Sequence, residues 1–156
     1  AGVGYEMQKL HDAVNQGIIQ CRGVYAAWAK AHGISYHRLL VLCTVRECGG
    51  CTQKQICDRY LLPRQTMHNT INGMRAEGLL AESQEYSQGR EKGFVLTGKG
   101  SAYAAPLLRD LGEMEERAGR RMGAEKIRRM TELVQEYDRE LAAAMEEQKK
   151  HEHGTD

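Results

Sequence analysis

Little in this sequence points to an aromatic-cored or secreted protein. Only 6% of the 156 residues are aromatic, with one Phe and one Trp. That disfavours an aromatic-rich β sandwich and favours a helical protein cored by Leu, Ile, Val, Met and Ala. No apolar run approaches the roughly 18 residues of a membrane span, so no transmembrane helix is expected. The chain does not open with a basic stretch followed by an apolar one, so no secretory signal is expected. Neither sign of charge is in surplus: 22 Lys and Arg against 21 Asp and Glu give a net charge of +1. Any DNA-binding charge must therefore be gathered on one face. Five cysteines are an odd number, and four lie between Cys43 and Cys57, which fits a reducing cytoplasm better than a disulfide framework. No phosphate-cradling glycine loop, nucleophile elbow or metal-ligating helix motif occurs, and the six His are scattered. No catalytic residue, cofactor or metal is expected, and the protein is not read as an enzyme.

The length suits one compact domain or one protomer of a small oligomer. A first helix is expected over about Tyr5–Ala31, where Leu10, Val14, Gly17, Cys21, Val24, Trp28 and Ala31 recur at alternating spacings of four and three, a heptad seam. Gly33 is a stop signal. A second helix, Ser35 to Glu47, has Ser35 as its cap and apolar residues around most of its circumference, so it belongs at the centre. Gly49-Gly50 ends it. Thr52-Gln-Lys-Gln55 has the form of a capping box, opening a third helix to about Tyr60. Pro63 sits where a first-turn proline is tolerated, at the start of a fourth helix that ends at Gly78. Only Leu61-Leu62 separates these two helices, which is helix-turn-helix spacing.

Two strand-like runs, Leu79–Tyr86 and Lys92–Leu96, flank a hairpin tip at Ser87–Glu91. Thr97 can cap a fifth helix, about Lys99 to Arg121. The last helix, about Ala124 to Glu147, carries Ile127, Met130, Val134, Tyr137, Leu141 and Ala144 as a second heptad seam. The polar residues after Gln148 are expected to be a disordered tail. The fold class expected is mainly α with a small β-hairpin wing. It is a winged helix-turn-helix over 35–100, flanked by dimerisation helices over 1–34 and 101–148, with the tail over 149–156.

The fourth helix carries the most chemistry. Met67, Ile71 and Met74 make a buried stripe, and the opposite face presents Gln65, Asn69 and Asn72, flanked by Arg64, His68 and Arg75. That face has no acid until Glu77. Asn and Gln donate and accept together and so pair with adenine N6/N7, while Arg64 suits guanine or phosphate. Arg90 and Lys92 near the hairpin tip can reach a phosphate or a minor groove.

These segments resemble the MarR family of bacterial regulators. The match runs from Thr52-Gln-Lys-Gln-Ile56 through Gln65-Thr66-Met67 and Gly78-Leu79-Leu80 to Arg90 and Leu96-Thr97-Gly98-Lys99-Gly100. Thr66 stands twelve residues before Gly78, as in the family. The resemblance implies a homodimer with interleaved terminal helices, recognition helices in successive major grooves and wings in the minor groove. Carried over by position, it makes Arg64, Gln65, Thr66, His68 and Asn69 base or phosphate contacts and Arg90 the wing contact. Two departures are visible: Gln88 stands where the family often has Asp, and Leu62-Pro63 replaces the usual Ser or Thr cap of the recognition helix. The expected function is a homodimeric transcriptional regulator, a repressor of a palindromic operator, released by a small aromatic or anionic effector.

Tyr25, Trp28, His32, Tyr36 and His37 gather at the junction of the first two helices, either as the lining of an effector pocket or as the edge of the core. Cys48-Gly-Gly-Cys51 and Cys21 on the seam are candidates for a thiol switch, or the first two for metal binding, against the alternative of small buried residues. A winged-helix module that binds protein and not DNA is the remaining rival, supported by the near-neutral net charge.

Overall fold

The computed structural model describes residues 3–154. Six helices and three strands follow in the order α1 (Val3–Ala31), α2 (Tyr36–Cys48), β1 (Cys51–Thr52), α3 (Gln53–Tyr60), α4 (Arg64–Ala76), β2 (Leu80–Gln88), β3 (Glu91–Leu96), α5 (Gly98–Met122) and α6 (Ala124–His153) among the described residues. This is a mainly helical winged helix-turn-helix, the expected class.

The helix starts follow local capping chemistry. Ser35 accepts from the Arg38 backbone N–H, and Thr52 and Gln55 form the complete capping box that opens α3. Each satisfies a backbone donor that the first turn leaves without a partner. Pro63 is the N-cap of α4 and lies just outside it, one position earlier than expected, so its missing N–H is lost where no helical bond is needed. Gly49 ends α2 in the left-handed region, with its N–H bonded to the Val45 carbonyl. Leu61 ends α3 with φ at 52° and is the only non-glycine at positive φ among the described residues.

The sheet differs from the expected hairpin in two ways. It has three antiparallel strands in the order β1-β3-β2, with Cys51 opposite Phe94 and Thr52 opposite Gly93. A two-residue strand has no alternation to read, so β1 is set by its partner and not by its own pattern. The hairpin strands are also longer than expected and the tip shorter: Gln88 pairs with Glu91, leaving Gly89 and Arg90 as the turn, with Gly89 at φ +58°. The register shifts between Ser83 and Gln88. Within that bulge the Ser87 hydroxyl donates to the Ser83 carbonyl and accepts from the Gly93 N–H. A side chain at Gly93 would meet the Tyr86 carbonyl carbon at 2.2 Å, so only glycine lets the strands close there.

The chain forms two compact units, one up to Arg109 and one from Asp110, where a single compact domain was expected. In the first, Leu39, Leu42 and Val41 of α2, Ile56 of α3, Met67, Ile71 and Met74 of α4 and Leu79, Leu80 and Phe94 of the sheet are buried. The buried Thr44 hydroxyl donates to the Leu40 carbonyl at 2.8 Å, which satisfies a polar group inside a helix otherwise surrounded by apolar side chains. In the second unit no residue of α6 is buried. That helix also runs to His153, five residues into the stretch expected to be a disordered tail. Its last turns are held by a Glu146–Lys149 pair and by Lys150, His151 and His153 at the negative end of the helix dipole.

Candidate nucleic-acid interface

The local sequence of α4 separates two faces by helical spacing. Met67, Ile71 and Met74 lie within the core, at 0%, 2% and 0% exposure, which fixes the rotation of the helix about its axis. Arg64, Gln65, His68, Asn69, Asn72 and Arg75 are therefore all exposed, and Thr66 sits half-buried at the edge of the stripe. The exposed polar residues organise one another. Gln65 Nε2 donates to Asn69 Oδ1 at 3.0 Å, and Asn72 Nδ2 lies 3.0 Å from His68 Nε2. Each pair spans one helical turn and orients its amides before any ligand arrives. That bond uses one Gln65 N–H and the Asn69 carbonyl, leaving the Gln65 carbonyl as an acceptor and the Asn69 NH₂ as a donor. Such a donor and acceptor set is what an adenine edge requires.

Arg90 is exposed at the wing tip and makes no ion pair among the described residues. The other expected cations do not stand free. Arg64 pairs with Glu91 at 3.5 Å, and Lys92 with Glu82 at 3.3 Å. Glu82 also holds Arg75 at 3.2 Å, and the Arg75 guanidinium lies over the Phe94 ring. Along the sequence, α4 carries no acid on its outer face. In three dimensions the wing supplies two, one at each end of α4. Sequence spacing gave no sign of this, because Glu82 and Glu91 reach the helix through the β2–β3 register and not through helical periodicity. At the C-terminal end of α4, Glu77 pairs with Arg38 of α2, and Lys99 donates to the Glu77 carbonyl. These contacts anchor the helix between α2 and α5.

Residues 32–91 match the model of the MarR family, a span that runs from the end of α1 to the first residue of β3. NMB1585, a MarR family regulator from Neisseria meningitidis, is 29% identical, with 87% of this chain and 93% of that one aligned at a TM-score of 0.71. The chain is similar to MarR family regulators, most clearly over its winged helix-turn-helix. Its fold is a winged helix-turn-helix, the fold it shares with that regulator. A MarR family regulator from Silicibacter pomeroyi shares the fold at 18% identity, covering 87% of this chain and 91% of its own, with a TM-score of 0.68. NadR, solved in complex with 4-hydroxyphenylacetate, does so at 16% identity, 79% and 90% coverage and a TM-score of 0.68. No curated protein matches the sequence.

Four of the five residues expected to gather for an effector form two neighbouring pairs. Trp28 and His32 stack at 3.9 Å within α1 and its end, with a His32 ring nitrogen 2.8 Å from the Trp28 carbonyl. Tyr36 and His37 are tilted neighbours at 6.2 Å. Burial pushes the Tyr36 hydroxyl above its ordinary pKa, against the opposing pull of Arg22. Tyr25 is half-buried on α1.

All five cysteines are free thiols. Cys51 and Cys57 are buried, and burial pushes Cys51 up to about 11, with Cys48 adding to the shift. A buried thiol of that pKa is a poor nucleophile at neutral pH. Cys48 and Cys21 are exposed. Arg59 donates to Cys48 Sγ at 3.8 Å while holding an ion pair with Glu47. Cys48 and Cys51 line a cleft of about 360 Å³ with Gln55, Arg59 and Tyr86, which sequence reading did not foresee because it depends on where β2 passes α3. Among the described residues no three His, Cys, Asp or Glu side chains converge to hold a metal ion, and no helix is long and apolar enough to cross a membrane.

Proposed function

We propose that this protein works as a homodimer that reads a palindromic operator, with α4 in the major groove and Arg90 in the minor groove, and represses until a small effector releases it. The observation that carries the reading is the outer face of α4: Arg64, Gln65, His68, Asn69 and Asn72 exposed in a row above a fully buried apolar stripe. Thr66 stands at its edge and Lys92 beside the wing. A buried stripe sets the helix rigidly, and a polar, acid-free face with preset amides suits base edges. Gln65, Asn69 and Asn72 favour an A-containing half-site.

Dimerisation is supported by the terminal helices. In α1, Leu10, Val14 and Val24 are 61%, 41% and 57% exposed. In α6, Met130, Val134 and Leu141 are exposed along the heptad seam. Apolar residues at regular a/d spacing left open in one chain are what a second helix covers. A two-fold dimer places its recognition helices about one turn of B-DNA apart. The effector reading rests on the Trp28–His32 stack and the half-buried Tyr25 and Tyr36. Aromatic acids are the class to try first, since NadR is solved with one.

Fluorescence anisotropy with duplex DNA from upstream of the protein's own gene, across a salt series, tests this. Wild type is expected to bind in the nanomolar range with steep salt dependence, and Arg90→Ala to weaken binding about 10-fold or more. Flat anisotropy at low salt, from protein shown to be a folded dimer, would reject the operator reading in favour of a protein-binding module.

A further inference from the structure

The two acids that meet the recognition helix have a use that stability does not supply. Glu91, the first residue of β3, reaches Arg64, the first residue of α4, at 3.5 Å. Glu82 of β2 reaches Arg75 in the last turn of α4 at 3.2 Å and Lys92 of β3 at 3.3 Å. All three cations are substantially exposed, the Arg64 and Lys92 side chains at 66% and 67%. Ion pairs this open to water add little to folding and exchange readily. Two carboxylates thus hold three basic groups on the DNA-facing side, one at each end of the helix, while Arg90 at the tip stays unpaired.

We infer that Glu82 and Glu91 are built-in phosphate surrogates, positioning residues that hold Arg64, Arg75 and Lys92 in the free protein and yield them to DNA phosphates on binding. The inference rests on the DNA-binding reading above. A carboxylate oxygen and a phosphate oxygen are interchangeable acceptors for a guanidinium, but a phosphate takes an Arg in a bidentate grip. A contact at 3.5 Å is a loose one to displace. Arg75 keeps its place during the exchange because Phe94 supports its guanidinium, whose carbon lies 5.4 Å from the ring centroid. Full engagement requires phosphates at both ends of α4 together, which a duplex in register provides and a stray anion does not. The surrogates therefore depress non-specific affinity more than operator affinity. They also lessen the salt dependence, because each displaced carboxylate gathers a cation as each phosphate sheds one.

The test compares wild type, Glu82→Gln, Glu91→Gln and the double variant on random-sequence duplex DNA across a salt series, with Glu85→Gln as the charge control. Glu85 lies on β2, is exposed and makes no ion pair among the described residues. The double variant is expected to bind about 10-fold tighter than wild type at physiological salt. Its log K against log salt slope is expected to be steeper by about one to two, and Glu85→Gln to stay within about twofold. Thermal melts show that each variant is folded, and Glu91→Ala serves as a second variant if a glutamine disturbs the wing. A folded double variant that matches Glu85→Gln, or binds more weakly than wild type, overturns the surrogate role and leaves DNA binding intact. Failure of every folded form, wild type included, to bind any duplex overturns DNA binding and the surrogates with it.

Discussion

The winged helix and the terminal helices solve the burial problem in opposite ways. Residues of α2, α3, α4 and the sheet cover one another within a single chain: Leu39, Leu42, Ile56, Met67 and Met74 are almost wholly withdrawn from water. Along α6 no described residue is buried, and Met130, Val134 and Leu141 of its heptad seam are exposed. The first arrangement is complete as a folded unit. The second has the pattern of a helix awaiting a partner, because apolar residues held at a/d positions gain only when another seam meets them. Self-sufficiency thus lies with the winged helix-turn-helix, and uncovered apolar surface with the terminal helices.

Three changes would sharpen or break this contrast. Met67→Ala should have the largest effect, since it empties a site that the core cannot close. A loss of about 2–5 kcal/mol is expected by chemical denaturation, through a cavity term added to the lost transfer energy. Val134→Asp should act on assembly instead. Sedimentation is expected to show a monomer whose winged-helix unit still melts cooperatively, with operator affinity down on the order of 100-fold as the two half-sites uncouple. A dimer that survives this change would mean that the α6 seam is not the contact. Leu61→Gly should have the smallest effect and the opposite sign. Leu61 is held at φ 52° and is 85% exposed, so glycine relieves left-handed strain and forfeits no buried surface. A gain of about 0.5–1 kcal/mol in thermal or chemical melts is expected. No gain would show that the apolar side chain is itself used.

Much of the fold was legible in local chemistry. Ser35, the Thr52–Gln55 capping box and Gly49 mark helix ends through hydrogen bonds made within a few residues, so their positions could be read directly. The buried stripe of α4 was legible because Met67, Ile71 and Met74 obey helical spacing. The strand Cys51–Thr52 was not, since its only reason for being extended is Phe94 and Gly93, some forty residues away. The helical end of the chain was misread for a different reason: a polar run looks disordered by composition, yet Glu146 and Lys149 support a helix already under way.

The candidate site divides in the same manner. The sequence by itself determined which residues face outward on α4, because periodicity assigns faces from the apolar stripe alone. It also placed Arg90 near the tip of the hairpin, where the structure finds it exposed. Only the tertiary structure decided that Arg64 and Lys92 are already paired, that Arg75 joins them, and that the acids come from the wing. The reason is physical. A face depends on the spacing of neighbours along one helix, whereas a charge partner depends on which strand the fold lays beside it, and that is fixed by sheet register and packing.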